Sequence, residues 1–379
     1  MTAVLWSLIG LILWHYLGYG LVLAALSRFK RHTFVSSPNA WPKVSIIIPV
    51  YNEEEVIAQR IGNCLALDYQ GNDLEIIVGS DGSIDQTVQI AETFDPQRVK
   101  ILDFPQNRGR SQVHNDCLAA ASGEIVFFTD ADTLYEPDCI RKIVRHYRDP
   151  KVGCVGGELR SRSFKQGAIG GGLGFYWRWE YALRYWQSRL GVLTKVSGAN
   201  MSMRKDLYKP LPEDVDIDQA GGPVVILQGH QVVHEPRAIA YEEFPVDLSG
   251  ELSARRRLTL RAVTALWRYR AIMNPLKHPW IAFHTLSYRV LRYMIPFLLA
   301  GAFVLSAFLA LESWFYGAIF LLQAVFYILA VIGLLLERSG KTYWPFSYPF
   351  TFCWFQVGIM IGVLEFLIGR RVKSYQPIR

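Results

Sequence analysis

From Val44 onward the chain alternates between short apolar runs and segments with helical spacing. "VSIIIPV" (44–50) reads as a buried strand, followed by an amphipathic helix from Glu53 to about Leu67. "LEIIVGS" (74–80), "RVKILDF" (98–104) and "GEIVFFT" (123–129) repeat the strand pattern, with helices starting near "SIDQTVQIAETF" and running over "SQVHNDCLAAA". Strands apolar at nearly every position and separated by helices predict a mostly parallel sheet covered on both faces. In such an α/β domain, ligands bind outside the carboxyl ends of the strands.

Outside this domain the pattern gives way to long apolar runs. Val4–Leu26 is long enough to cross a bilayer, which takes ~20 residues. No basic residue precedes it and no small-residue cleavage motif follows, so an uncleaved anchor is expected rather than a signal peptide. His15 within it reads as a tolerated interior polar group. Three more runs follow at Tyr293–Leu311, Trp314–Leu336 and Trp344–Ile368. The expected organisation is an anchor over 1–27, the α/β domain over 44–240, amphipathic interfacial helices over 241–288 and membrane helices over 289–369. Basic "SRFKRH" after the anchor places the α/β domain on the cytoplasmic face of the cell (inner) membrane. Three later crossings would leave the tail "GRRVKSYQPIR" outside, against the same rule. Either one run is re-entrant or interfacial, or the rule fails there. Glu365, near the end of the last run, is expected to reach the interface.

Composition narrows the class. The apolar share is 51% and the formal charge +7, with basic residues clustered beside the apolar runs at "SRFKRH", "SARRRLTLR" and "GRRVK". That placement favours a lipid surface over nucleic acid. The five cysteines lack the spacing of a disulfide framework or a zinc site and read as reduced core thiols.

The strand tips carry the chemistry. They read "PVYNEE", "GSDGSIDQT", "PQNRGRSQ" and "TDADT". Gly82 lets the backbone turn beside Asp81 and approach a ligand closely. Arg108 and Arg110 bring positive charge suited to phosphate. Asp130 and Asp132 alternate, so one can reach a ribose and the other a divalent ion, which carboxylates share with substrate phosphates. Singly, each motif is as well explained by a turn or a helix cap. Together, at consecutive strand ends of one sheet, they point to a metal-bound diphosphate.

In that order and spacing, "VSIIIPVYNEE", "SDGSIDQT", "NRGRS" and "TDADT" resemble the nucleotide-sugar half of membrane-bound family-2 glycosyltransferases with the Rossmann-like GT-A fold. The resemblance continues through "YWRWEYALR", "SGANMSMRKDLY", "LPEDVDIDQ" and "VVHEPRAIAYEE", covering roughly Val44 to Trp267. It implies an inverting, Mg²⁺- or Mn²⁺-dependent enzyme. Its donor would be a nucleotide-sugar, of the UDP type in most relatives, and its acceptor lipid-linked or a growing polysaccharide. Pro49, Tyr51, Glu53 and Asp81 would hold the nucleoside, Arg110 the phosphates, Asp130 the ribose and metal, and Asp132 the metal. Asp218 would be the catalytic base, with Asp216 and Asp214 as alternatives if the register slips. Arg257 would contact the diphosphate, or join Arg255 and Arg256 in a lipid-facing basic surface. Gly198, Ala199 and Asn200 would line the acceptor side, while Trp177, Trp179 and Glu180 form either an acceptor platform or a core and interface anchor. The region "ELSARRRLTLRAVTALW" lacks the QxxRW motif of processive synthases. The alternatives are therefore a single-sugar transferase, a processive synthase coupled to secretion, or a catalytically silent nucleotide-binding scaffold.

Overall fold

The computed structural model describes residues 1–30, 41–69, 74–161, 168–242, 248–341 and 343–371. The end of "SRFKRH", the last residues of the tail and the side chain of Trp177 lie outside the described residues.

Eight strands form one sheet in the order β3-β2-β1-β4-β7-β6-β8-β5. β1 (Val44–Val50), β2 (Leu74–Asp81), β3 (Val99–Phe104) and β4 (Ile125–Phe128) make the parallel half. Their unbroken apolar character has a direct cause in packing. Ile46 and Ile48 enter one core with Ile76, Val78 and Phe127. Ile47 enters a second core on the other face with Ile77, Val126 and Phe128. Each such fully buried side chain contributes about 2 kcal/mol.

The other half is mixed, which the strand periodicity did not foretell. β7 (Met201–Arg204) runs antiparallel between β4 and β6 (Val152–Ser161). β8 (Gln231–Glu242) is parallel to β6, and β5 (Leu134–Tyr135) pairs antiparallel with β8. This arrangement carries Glu242, at the end of β8, back toward the loop that follows β4.

The helix after β1 is α2 (Ile57–Leu65), α1 being the N-terminal helix (Thr2–Arg28). α2 is shorter than the amphipathic segment suggested, because Glu53 and Glu54 tie their backbone amides to Thr87 and Asp85 rather than joining a helix. Next come α3 (Thr87–Ala91), α4 (Arg110–Ala120), α5 (Cys139–Val144), α6 (Ala168–Leu190) and α7 (Ile217–Leu227). α8 (Leu248–Arg268) leads from the sheet toward the apolar helices. These are α9 (Pro279–Leu309), α10 (Trp314–Arg338) and α11 (Trp344–Leu367). With α1 they make four helices long and apolar enough to cross a membrane among the described residues. α9 starts at Pro279, so residue 289 falls inside a helix rather than at a boundary.

The course of α11 bears on the tail. Leu5 of α1 packs with Leu309 of α9, and Trp6 stacks on Phe315, so these ends lie together, away from the sheet. α10 runs back from there for 25 residues, about 37 Å at 1.5 Å per residue. α11 then lies along α8, with Gly358 against Arg255 and Gly362 against Thr259. Its last turn meets the α/β domain, where Arg371 Nε is 3.9 Å from Asp214. Glu365, rather than reaching for solvent, is buried between Arg256 (2.5 Å) and Arg370 (2.7 Å).

Candidate active site

The loops after β1 and β2 interlock. Asn52, with φ of 55°, donates its amide to Ser83 Oγ (3.1 Å) and accepts from the Ile84 amide (2.9 Å). Gly82 has φ of 77°, and a Cβ there would lie 2.8 Å from the backbone of Gln106, so the glycine is required on both counts. Asp81 is buried, and its carboxylate accepts from the backbone amides of Arg108 (2.8 Å) and Gly109 (2.9 Å). Asp81 thus fixes the loop that launches α4. Pro49, Tyr51 and Glu53 are half-buried along the same edge.

Arg110, the first residue of α4, donates Nη1 to Asp130 Oδ1 at 2.9 Å. Asp132 stands open at the cleft. Surrounding protein and the neighbouring Asp130 charge push its carboxyl above the usual range. Glu242 is pushed well above that range, first by burial and then by Asp130 and Asp132. The charges of Asp130 and Asp132 are thus felt at Glu242, with Arg110 opposing them. One or two carboxylates together with substrate phosphates are what Mg²⁺ or Mn²⁺ requires, so Asp130 and Asp132 fit such an ion.

Beneath this loop lies Arg60, wholly buried. It donates to Thr129 Oγ1 and Asn63 Oδ1, both at 2.8 Å, and covers the Tyr135 ring at 4.4 Å. Asn63 in turn bonds both the amide and the carbonyl of Tyr135, so α2 clamps the loop that bears the two aspartates.

The acids before and within α7 separate cleanly. Asp214 faces Arg268 at 3.0 Å. Asp216 stands immediately before α7 and pairs with Arg261 Nε at 2.6 Å. Burial and the Asp218 charge raise its carboxyl, while Arg261 and Arg110 oppose the rise. Asp218, one-fifth exposed, accepts from Gln219 Nε2 (2.9 Å) and lies 3.3 Å from Lys195 Nζ. A Cβ on Gly198 would come within 3.3 Å of the Asp218 Cβ, so this glycine keeps space beside the carboxylate.

The other members of "SGAN" are placed differently. Ala199 is buried, with its carbonyl accepting from Tyr135 Oη (3.1 Å). Asn200 is fully buried and donates to the Ala238 carbonyl (3.0 Å), so its side chain braces β8 instead of lining an acceptor site. Arg257 lies on α8, half-buried, one turn before Arg261 and on the same face. Arg261 pairs with Asp216, and its Nη2 also touches Ser111 Oγ (3.3 Å).

With this geometry in view, the comparisons are specific. Residues 45–211 match the profile described as glycosyl transferase family 2. The chain carries a family-2 glycosyl transferase domain of GT-A fold. Poly-beta-1,6-N-acetyl-D-glucosamine synthase of Staphylococcus epidermidis is 29% identical over 234 residues, 59% of this chain and 55% of that protein. The synthase of the same name from Staphylococcus aureus strain COL is 29% identical over 218 residues, 55% of this chain and 51% of its own. The chain spans about half the length of the curated relatives it matches. Among solved structures, mannosyltransferase PcManGT from Pyrobaculum calidifontis, in complex with GDP-Man and Mn²⁺, superposes with a TM-score of 0.72. That match covers 96% of this chain and 99% of the other at 24% identity, a likeness of fold.

Proposed function

We propose that the chain is an inverting glycosyltransferase. It moves a sugar from a nucleoside-diphosphate sugar to a lipid-linked or growing saccharide at the cytoplasmic surface of the inner membrane. The observation that carries this reading is a run of charge along the strand ends. Asp130 pairs with Arg110 at the first turn of α4, Asp216 pairs with Arg261, and Asp218, two residues on, faces Lys195. One end suits a diphosphate and the other a reacting hydroxyl.

Arg110 and Arg261, with Arg257 on the same helix face, supply cations for the phosphates. The loop fixed by Asp81 and the edge formed by Pro49, Tyr51 and Glu53 make the nucleoside side. Asp130 and Asp132 would hold Mg²⁺ or Mn²⁺, which offsets charge on a departing diphosphate. Asp218 takes the proton of the acceptor hydroxyl as its oxygen bonds the anomeric carbon and the bond to the diphosphate breaks. Asp216 and Asp214 are less suited, each being paired with arginine.

Supporting the acceptor class, the curated relatives are named as synthases of a polysaccharide. Supporting the metal and the donor class, the structure sharing the fold holds GDP-Man and Mn²⁺. The contact of α11's last turn with the α/β domain supports a tail on the catalytic side, with this helix along the interface.

The test is to incubate the purified protein in lipid with a panel of sugar nucleotides and Mg²⁺ or Mn²⁺. One donor is expected to be consumed, giving a product of inverted anomeric configuration. If a sugar nucleotide is bound but none is consumed, the nucleotide-binding scaffold reading replaces this one. Product length separates a single transfer from a processive synthase.

A further inference from the structure

On the far side of Asp218 from the aspartate cluster lies a cavity of about 470 Å³. None of Asp81, Arg110, Asp130 or Asp132 lines it. Its walls come from α1, α6, α8, α9 and α11, and Lys195 and Gln219 join it to Asp218. α8 divides the two spaces. Arg255, Leu258, Thr259 and Ala262 face the cavity at helical spacing, while Arg261 faces the acids.

The lining is chemically lopsided. Five basic side chains, Arg184, Lys195, Arg255, Arg289 and Arg292, meet one carboxylate, Glu180. Burial alone would raise the Glu180 carboxyl, but Arg292 and Arg184 hold it below the usual range. Glu180 is bonded to Arg292 and accepts from Tyr288 Oη (2.6 Å), so it neutralises one cation. Arg289 is only 5% exposed and gives Nη2 to Gln219 Oε1 (2.9 Å). Its Nη1 has no hydrogen-bond partner among the described residues, and neither does Arg184 Nη1. Unsatisfied buried guanidinium atoms are costly, and a phosphate oxygen is the ligand that satisfies them best. The remaining wall is apolar and aromatic, with Tyr16, Phe352, Phe355 and Ile359 from helices that carry the apolar surface.

We propose that this cavity binds the phosphate or diphosphate of a lipid-linked acceptor, seated on Arg184, Lys195 and Arg289, with the chain leaving between α1 and α11. The proposal rests on the transferase reading and names its acceptor: the saccharide carried on that phosphate presents its hydroxyl to Asp218. Glu251 offsets Arg255 and Asp218 offsets Lys195, which leaves Arg184 and Arg289 without a carboxylate partner among the described residues; a cavity built for a neutral glycan would have no use for these two cations.

The test uses the full chain in nanodiscs of neutral lipid and follows tryptophan fluorescence, since Trp179 lines the cavity. Farnesyl phosphate is titrated beside farnesol, inorganic phosphate and phosphatidic acid. Saturable quenching by farnesyl phosphate is expected, at least tenfold tighter than by the other three. Arg289→Gln and Arg184→Gln should each weaken it about tenfold, the size of one lost charged contact, and Arg289→Lys should recover part. Equal binding of farnesol would overturn the phosphate site. Equal binding of phosphatidic acid would make it a headgroup site, and equal binding of inorganic phosphate a general anion site. Unaltered binding in variants that melt like the parent would also overturn the proposal. No sugar nucleotide is present, so failure here is distinct from failure of the donor assay.

Discussion

Arg261 Nε lies 2.6 Å from Asp216 Oδ2, and this pair joins the interfacial helix α8 to the acidic entrance of α7. Arg261 is almost fully buried while Asp216 keeps about a quarter of its side chain exposed. Removing the arginine alone strands a carboxylate that burial already disfavours. Arg261→Met should destabilise the protein by about 3 kcal/mol, at the low end for a broken buried pair. Arg261→Met with Asp216→Asn should recover most of that in thermal melts. If the double variant is no more stable than the single one, the pair is not coupled.

Asp218 and Asp216 should separate kinetically. Asp218→Asn removes the carboxylate assigned as the base and should lower transfer about 10³-fold, within the range for a lost general base, while sugar-nucleotide binding persists. Asp216→Asn should lower transfer by less, through disturbance of Arg261. Equilibrium binding and initial rates read the two effects. The reverse order would move the base to Asp216.

The carboxyls of Asp132 and Glu242 are both raised. The folded protein therefore keeps protons in a window where the unfolded chain has released them. The contribution of these two groups to cation-free stability falls as pH rises from the ordinary carboxyl range through the raised one. Mg²⁺ or Mn²⁺ should then raise the melting temperature more at neutral pH than at about pH 5, just above the ordinary range. Glu242→Gln should raise the cation-free melting temperature and shrink the pH dependence. A melting curve indifferent to both would remove Glu242 from the cluster.

Arg60 acts through the loop it supports. Arg60→Met keeps much of the buried volume but removes the guanidinium bonds to Thr129 and Asn63. Donor affinity should fall roughly tenfold with little change in turnover at saturating donor, because the aspartates are misplaced rather than removed. A fall in kcat with unchanged KM would refute a positioning role.

Legibility from sequence followed the physics of each element. The central parallel strands were readable because both faces are buried, which favours an apolar residue at nearly every position. The acidic and glycine tips were readable because they interrupt that pattern at one end. Arg60 was hidden: it takes a place on the Ile57–Ile61–Cys64 face of α2, where a charge is not expected. Glu242 and Lys195 enter only through the fold, which returns β8 to the β4 loop and sets Lys195 against α7. Asn200 shows the reverse failure, since its motif suggested a ligand while its amide is engaged within the sheet.

The docking of the last helix bears on how the chain is made. Asp214 meets Arg371, and Arg256 meets Glu365, across separations that close only once α11 has been made. A ribosome could release the entire sheet, already paired and packed, well before the segment preceding Asp218 acquires its last support. Chains stalled within α11 should therefore resist proteolysis across the strands yet be clipped near Asp214, a pattern that limited digestion would reveal.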